Sequence, residues 1–213
     1  VRRRRGGLCS APILLDSLNF CDLARATSDA DWDHVGGVLA HSAKRLEGAG
    51  AKLLLICANS MHRVHEQVRD AVSIPVLHIA DAVGARIARA GISDAALVGT
   101  RNVMTESWYR QRLVRHGISL LPPDVRRAET IDRIIYDELM CGKISRDAER
   151  QMKTILTELS QAGAKAVVLG STELSLVVDT RANVLPVFDS MEAHALAAVD
   201  AMLDEGAIDA VAA

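Results

Sequence analysis

Two short polar stretches stand where an anion could be bound. Ala58-Asn59-Ser60 follows the apolar run LLLIC, and Ser171-Thr172-Glu173 follows AVVLG. The same four residue types precede each run: Ala49-Gly50-Ala51-Lys52 and Ala162-Gly163-Ala164-Lys165. Overlaid without gaps, Ala58 falls on Ser171. A helix is expected after each stretch. Its first N–H groups lack internal partners and sit at the positive end of a dipole. Two such starts facing each other would hold a carboxylate. Glycine commonly ends helices, so the four letters could recur by chance. Their shared context instead favours two similar half-molecules with a site at their interface. No Gly-rich phosphate loop is present. Cys9, Cys21, Cys57 and Cys141 lack metal-ligand spacing. They are expected to be free, mostly buried thiols, and no metal site is expected.

The elements that must position these stretches alternate along the chain. Strands are expected at Ala11 to Leu15, Leu53 to Cys57, Pro75 to Ile79, Ala95 to Gly99, Ile118 to Leu121, Ala166 to Leu169 and Val184 to Val187. Helices are expected at Asp31 to Gly48 with Ser28 as N-cap, Met61 to Val72, Asp81 to Ala90, Thr105 to His116, Ala128 to Cys141, Ser145 to Ala162 and Ser190 to Leu203. Such alternation predicts an α/β fold of two pseudo-symmetric lobes, each a short parallel sheet flanked by helices. The site is expected in the cleft between them. One lobe is expected to comprise residues 1–77 and 186–213, the other 78–185.

Composition excludes several classes. Apolar residues make up 49% and charged residues 24% of the 213, enough for a packed core. A formal net charge of −2 gives no general attraction to nucleic acid. Arg2 to Arg5 read as a solvated basic tail. No apolar run reaches the ~18 residues of a membrane span, and nothing resembles a secretory signal. A cytoplasmic protein is expected.

The residues resemble the aspartate/glutamate racemase family, most of all its bacterial broad-specificity members. Cys57-Ala58-Asn59-Ser60-Met61-His62 looks like the first family signature, in which a catalytic residue precedes Asn-Thr or Asn-Ser. Leu169-Gly170-Ser171-Thr172-Glu173-Leu174 looks like the second, usually Leu-Gly-Cys-Thr-Glu. Supporting stretches are Leu77 to Asp81, Leu97 to Arg101 with Met104, and Leu185 to Asp189. The resemblance implies racemisation without pyridoxal phosphate or any other cofactor. Two acid/base residues on opposite sides of an amino acid would take and return its α-proton. It also implies a homodimer and a small amino-acid substrate, aspartate or glutamate foremost.

Carried over position by position, the paired catalytic residues are Ala58 and Ser171. Alanine has no proton to exchange, and a serine hydroxyl is a weak acid that needs a neighbouring base. Glu173 and His194 are the candidates to assist Ser171. Asn59, Ser60, Thr100, Thr172 and Glu173 are the expected substrate contacts. Thr100 reads equally as a helix cap through its hydroxyl. Cys57 should point to the opposite side of its strand from Ala58, as a buried thiol. Asp16 reads as a turn carboxylate, Arg101 as an exposed arginine, and Met61 and Met104 as core. Family members open with a strand and a Gly-Gly-Met-Ser-type loop, whereas this chain opens at the next element. A first lobe lacking its first strand is therefore expected. The reading is a racemase impaired at both catalytic positions. Its rivals are an inactive amino-acid-binding homologue or Cys-to-Ser variant, and a one-sided decarboxylase or isomerase.

Overall fold

A computed structural model describes residues 1–203 except Arg25 and Thr27. The fold is mixed α/β, with short parallel sheets flanked by helices. The chain divides into two compact units. One contains Val1–Ile56, Arg63–Leu77 and the described part of Ala195–Ala213. The other contains Cys57–His62 and His78–His194.

In the first unit, α1 (Arg2–Arg5) is a single exposed turn. Its Arg4 pairs with Asp200. Helix α2 (Asp29–Gly48) starts two residues before the expected Asp31 because Ser28 and Asp31 form a reciprocal cap. Ser28 Oγ accepts the Asp31 N–H at 3.2 Å, and Asp31 Oδ2 accepts the Ser28 N–H at 2.9 Å. Strand β1 (Leu54–Leu55) pairs in parallel with β2 (Val76–Leu77), and α3 (His65–Arg69) packs on α2.

The second unit continues with α4 (Ile79–Arg89), β3 (Asp94–Gly99), α5 (Arg101–Thr105), α6 (Ser107–Arg115) and β4 (Ser119–Leu120). Then come α7 (Val125–Arg133), α8 (Arg146–Gln161), β5 (Ala166–Gly170), β6 (Val187–Asp189) and α9 (Ser190–Leu203). The boundary between units falls inside α9, after His194. The four strands are parallel in the order β4-β3-β5-β6. Alternate residues of β3 and β5 supply two cores. Ala96, Val98, Val167 and Leu169 pack with Ile131 of α7 and Met152 and Leu156 of α8. Ala95, Leu97, Ala166 and Val168 pack with Val83 and Ile87 of α4 and Leu113 of α6. Coverage on both sides is why these strands are continuously apolar.

The repeated Ala-Gly-Ala-Lys stretches end α2 and α8 in the same way. Gly50 and Gly163 have φ of 98° and 103°, a left-handed backbone that favours glycine. The Ala51 N–H reaches back to the Leu46 carbonyl, and the Ala164 N–H to that of Leu159, both at 3.1 Å. A strand follows each cap.

Several expectations are corrected. Ala11 to Leu15 is not a strand, and Ile13 and Leu15 are 79% and 81% exposed. An apolar run becomes a strand only with a hydrogen-bonding partner, and Pro12 removes one of its donors. Met61 to Val72 is not one helix but a tight 3₁₀ stretch, Ser60–Val64, followed by the short α3. The helix expected to reach Cys141 leaves α geometry after Arg133, passing through a wide π turn, Ile134–Glu138. The last strand starts at Val187, not Val184, beyond Pro186. All four cysteines are exposed rather than buried. Cys57 lies past the end of β1, so strand alternation does not orient it.

Candidate active site

The carboxyl ends of three neighbouring strands bring polar residues to one edge of the sheet. Strand β3 runs into Thr100, β5 into Ser171 and β6 into Ser190. Gly99 pairs with Gly170, and Leu169 with Asp189, so these ends are level. A Cβ on Gly99 would lie 2.5 Å from the Gly170 carbonyl oxygen, so only glycine permits this approach. Ligands of open parallel sheets bind at this edge.

Asn59 is tied to the same edge. Its side-chain oxygen accepts the Ser190 hydroxyl at 3.0 Å and the Tyr109 hydroxyl at 2.9 Å. Asn59 is 4% exposed, and its Nδ2 has no partner among the described residues. Burial pushes the Tyr109 phenol well above its ordinary pKa, so it remains a donor.

His62 holds the turn that carries Ala58 and Asn59. Its Nε2 accepts the Ile79 N–H at 3.2 Å, and its Nδ1 lies 2.9 Å from the Ala58 carbonyl oxygen. A backbone N–H only donates and a carbonyl only accepts. These two bonds are those of an imidazole that donates through Nδ1 and accepts at Nε2. Its ring lies 4.6 Å from that of His78 and 5.6 Å from that of His194. His78 Nδ1 in turn accepts the Ala80 N–H at 3.1 Å and caps α4.

At the second signature, Ser171 Oγ donates to Glu173 Oε2 at 2.7 Å, and Thr172 Oγ1 to Glu173 Oε1 at 2.7 Å. Glu173 thus holds Ser171 directly, while His194 lies edge-on to His62. A hydroxyl bonded to a carboxylate can pass its proton on when it gains another.

A model of the Asp/Glu/Hydantoin racemase family matches residues 1–198. The chain belongs to that family. It is 22% identical over 173 residues to the broad specificity amino-acid racemase RacX of Bacillus subtilis (strain 168), spanning 81% of this chain and 74% of the relative. A crystal structure of a protein from Yersinia pestis, provisionally named an Asp/Glu racemase, superposes with a TM-score of 0.86. It is 36% identical and covers 96% of this chain and 89% of its own. An aspartate racemase homologue from Pyrococcus horikoshii OT3 is 29% identical, with a TM-score of 0.80 over 95% of this chain and 89% of its own.

Thr100 does not cap α5 through its hydroxyl, which donates instead to Asn102 Oδ1 at 2.6 Å. Ser60 opens the 3₁₀ stretch Ser60–Val64, and Thr172-Glu173 precede a three-residue 3₁₀ turn, Leu174–Leu176. The helix starts expected at both signatures are therefore replaced by short turns. A large macrodipole needs many aligned peptides, so anion binding here must rest on side chains and individual N–H groups. Asp16 accepts bonds from Ser42 and Arg45, which hold its carboxyl below the ordinary range and tie it to α2. Arg101 is exposed, and Met61 and Met104 are buried. Sequence reasoning missed Tyr109 and Ser190, whose positions carry only a helical pattern and a helix start. Their link to Asn59 spans 50 and 131 residues, which no local pattern records.

Proposed function

We propose that this chain binds a small amino acid, aspartate or glutamate foremost, and exchanges its α-proton without pyridoxal phosphate. Ser171 with Glu173 supplies the working side, and Ala58 leaves the other without an acid or base. The observation that carries this reading is the Ser171 hydroxyl donating to Glu173 at 2.7 Å. When the substrate α-proton moves to Ser171 Oγ, the Ser171 proton moves to Glu173, and the bonding electrons stay on the α-carbon. Reversal returns a proton to the same side. In heavy water the α-position would gain deuterium with retention. Inversion needs a donor on the opposite side, which alanine lacks. Asn59, Ser60, Thr100 and Thr172 are the substrate contacts in this reading, with the Asn59 amide nitrogen offered to the α-carboxylate. His194 supports the site through His62. The reading also takes the protein as cytoplasmic, and as a homodimer, as the family resemblance implies. Light scattering on the purified chain tests the dimer.

The test is α-deuterium incorporation into L- and D-aspartate and glutamate, followed by NMR. It uses this chain and an Ala58→Thr, Ser171→Cys double variant. Slow exchange with retention is expected in the original, and inversion in the variant. Inversion by the original chain would overturn the one-sided mechanism. The missing acid/base group at Ala58 also favours a binding protein that does no chemistry. Isothermal titration showing amino-acid binding, with no exchange in the original chain, would select that reading.

A further inference from the structure

We infer that Tyr109 and Ser190 are positioning residues that lock the Asn59 carboxamide with its oxygen toward their hydroxyls and its nitrogen toward the ligand. This rests on the amino-acid-binding reading above. A carboxamide oxygen has two lone pairs, and here each accepts one buried hydroxyl, from Tyr109 at 2.9 Å and Ser190 at 3.0 Å. The nitrogen, shielded from solvent, has no protein acceptor among the described residues. A buried donor without an acceptor is costly, and a ligand carboxylate removes that cost. Turning the amide over would break both hydroxyl bonds as they stand and point an oxygen at an anion.

The two hydroxyls are themselves held firmly. Tyr109 lies in the core formed by α4, α6 and one side of β3 and β5. Its ring meets those of Trp108 at 5.6 Å and His78 at 6.5 Å. Ser190 is fully buried where β6 passes into α9, a junction at which Asp189 Oδ1 caps the Met191 N–H at 2.8 Å. The sheet therefore sets the amide orientation of a residue that follows β1 in the chain. Neither hydroxyl needs to touch substrate.

The experiment is a double-mutant cycle on L-aspartate affinity, measured by isothermal titration. It uses Tyr109→Phe, Ser190→Ala and Asn59→Ala, alone and in pairs with Asn59→Ala. Tyr109→Phe keeps the ring, and thermal melts confirm folding of each variant. Tyr109→Phe is expected to weaken binding by about tenfold, the scale of one hydrogen bond. In the Asn59→Ala background it should have no further effect. Additive losses, or no loss from either hydroxyl variant while Asn59→Ala does weaken binding, would overturn the inference alone. If Asn59→Ala leaves affinity unchanged, the amino-acid-binding role of Asn59 fails instead. Nitrogen relaxation of the Asn59 side-chain amide in the ligand-free protein decides the positioning role independently. The amide should be rigid in the original chain and mobile in Tyr109→Phe and Ser190→Ala. A rigid amide in both variants would overturn the positioning role whatever the ligand.

Discussion

His62 illustrates how a residue beside a candidate site can hold backbone in place without moving a proton. Both ring nitrogens are committed, one to the Ala58 carbonyl and one to the Ile79 N–H. Taking up a second proton would cost it the Ile79 bond. Its role is to fix the turn that presents Ala58 and Asn59 and to tie it to the start of α4. His62→Ala would leave the buried Ile79 N–H and the half-buried Ala58 carbonyl without this partner, at roughly 1–3 kcal/mol for a buried group. A loss of about 3 kcal/mol is expected in urea unfolding, with an unchanged m-value. A loss below about 0.5 kcal/mol, the scale of an ordinary surface change, would show that the ring is dispensable. At this scale the sequence was legible in part. The signatures marked Asn59, Ser171 and Glu173, because adjacent residues share a motif. Tyr109 and Ser190 were illegible, because their importance lies in two hydroxyls meeting one distant amide.

At the scale of elements, the chain's punctuation was easier to read than its extents. Ser28 started α2, and Gly50 and Gly163 stopped α2 and α8, because caps depend on a few adjacent residues. The run from Ala11 to Leu15 misled because pairing is a property of two segments. The glycines at the sheet edge give a sharp test. Gly99→Ala would drive a methyl into the Gly170 carbonyl, which is backbone and cannot swing aside. A loss of about 2–3 kcal/mol is expected in denaturant unfolding, typical of forced overpacking. A loss under 1 kcal/mol would mean that the strands can part locally. The α2 end supplies a pH test. Glu47 accepts the Ser73 hydroxyl at 2.5 Å and the N–H groups of Ser73 and Ile74, just before β2. The Ser73 hydroxyl bond, then these N–H groups, lower its pKa from the ordinary 4.5. A carboxyl depressed in the folded state stabilises above its unfolded pKa, and that contribution fades as pH falls through the folded value. Glu47→Gln should therefore lower the melting temperature at pH 7, with the gap to the original closing as pH drops below 4.5. A gap that is constant with pH would assign the effect to shape rather than charge.

For the whole molecule, chain order and compact units diverge at the first signature. Cys57–His62 follows β1 of one unit, yet groups with the other, where Asn59 meets Tyr109 and Ser190. No helix among the described residues is long and apolar enough to cross a membrane. The buried apolar clusters that cover both sides of the sheet are built from second-unit residues. The first unit's strands are two residues each. Protection from hydrogen exchange follows the least costly opening that frees an amide. Amides of β3 and β5 are released only when both cores come apart. The Leu54 N–H, bonded to the Pro75 carbonyl at 2.9 Å, is released when one short pair separates. Native-state exchange should therefore leave β3 and β5 protected longest, with β1 and β2 at least about tenfold faster. The His62 amide, bonded to the Asn59 carbonyl at 3.1 Å, should exchange with the slow group although it lies only seven residues past β1. That outcome would mean that the first signature opens with the sheet that orients it. Exchange of His62 at the rate of β1 would instead make the turn part of the less stable unit, and Asn59 would lose its fixed amide whenever that unit opens.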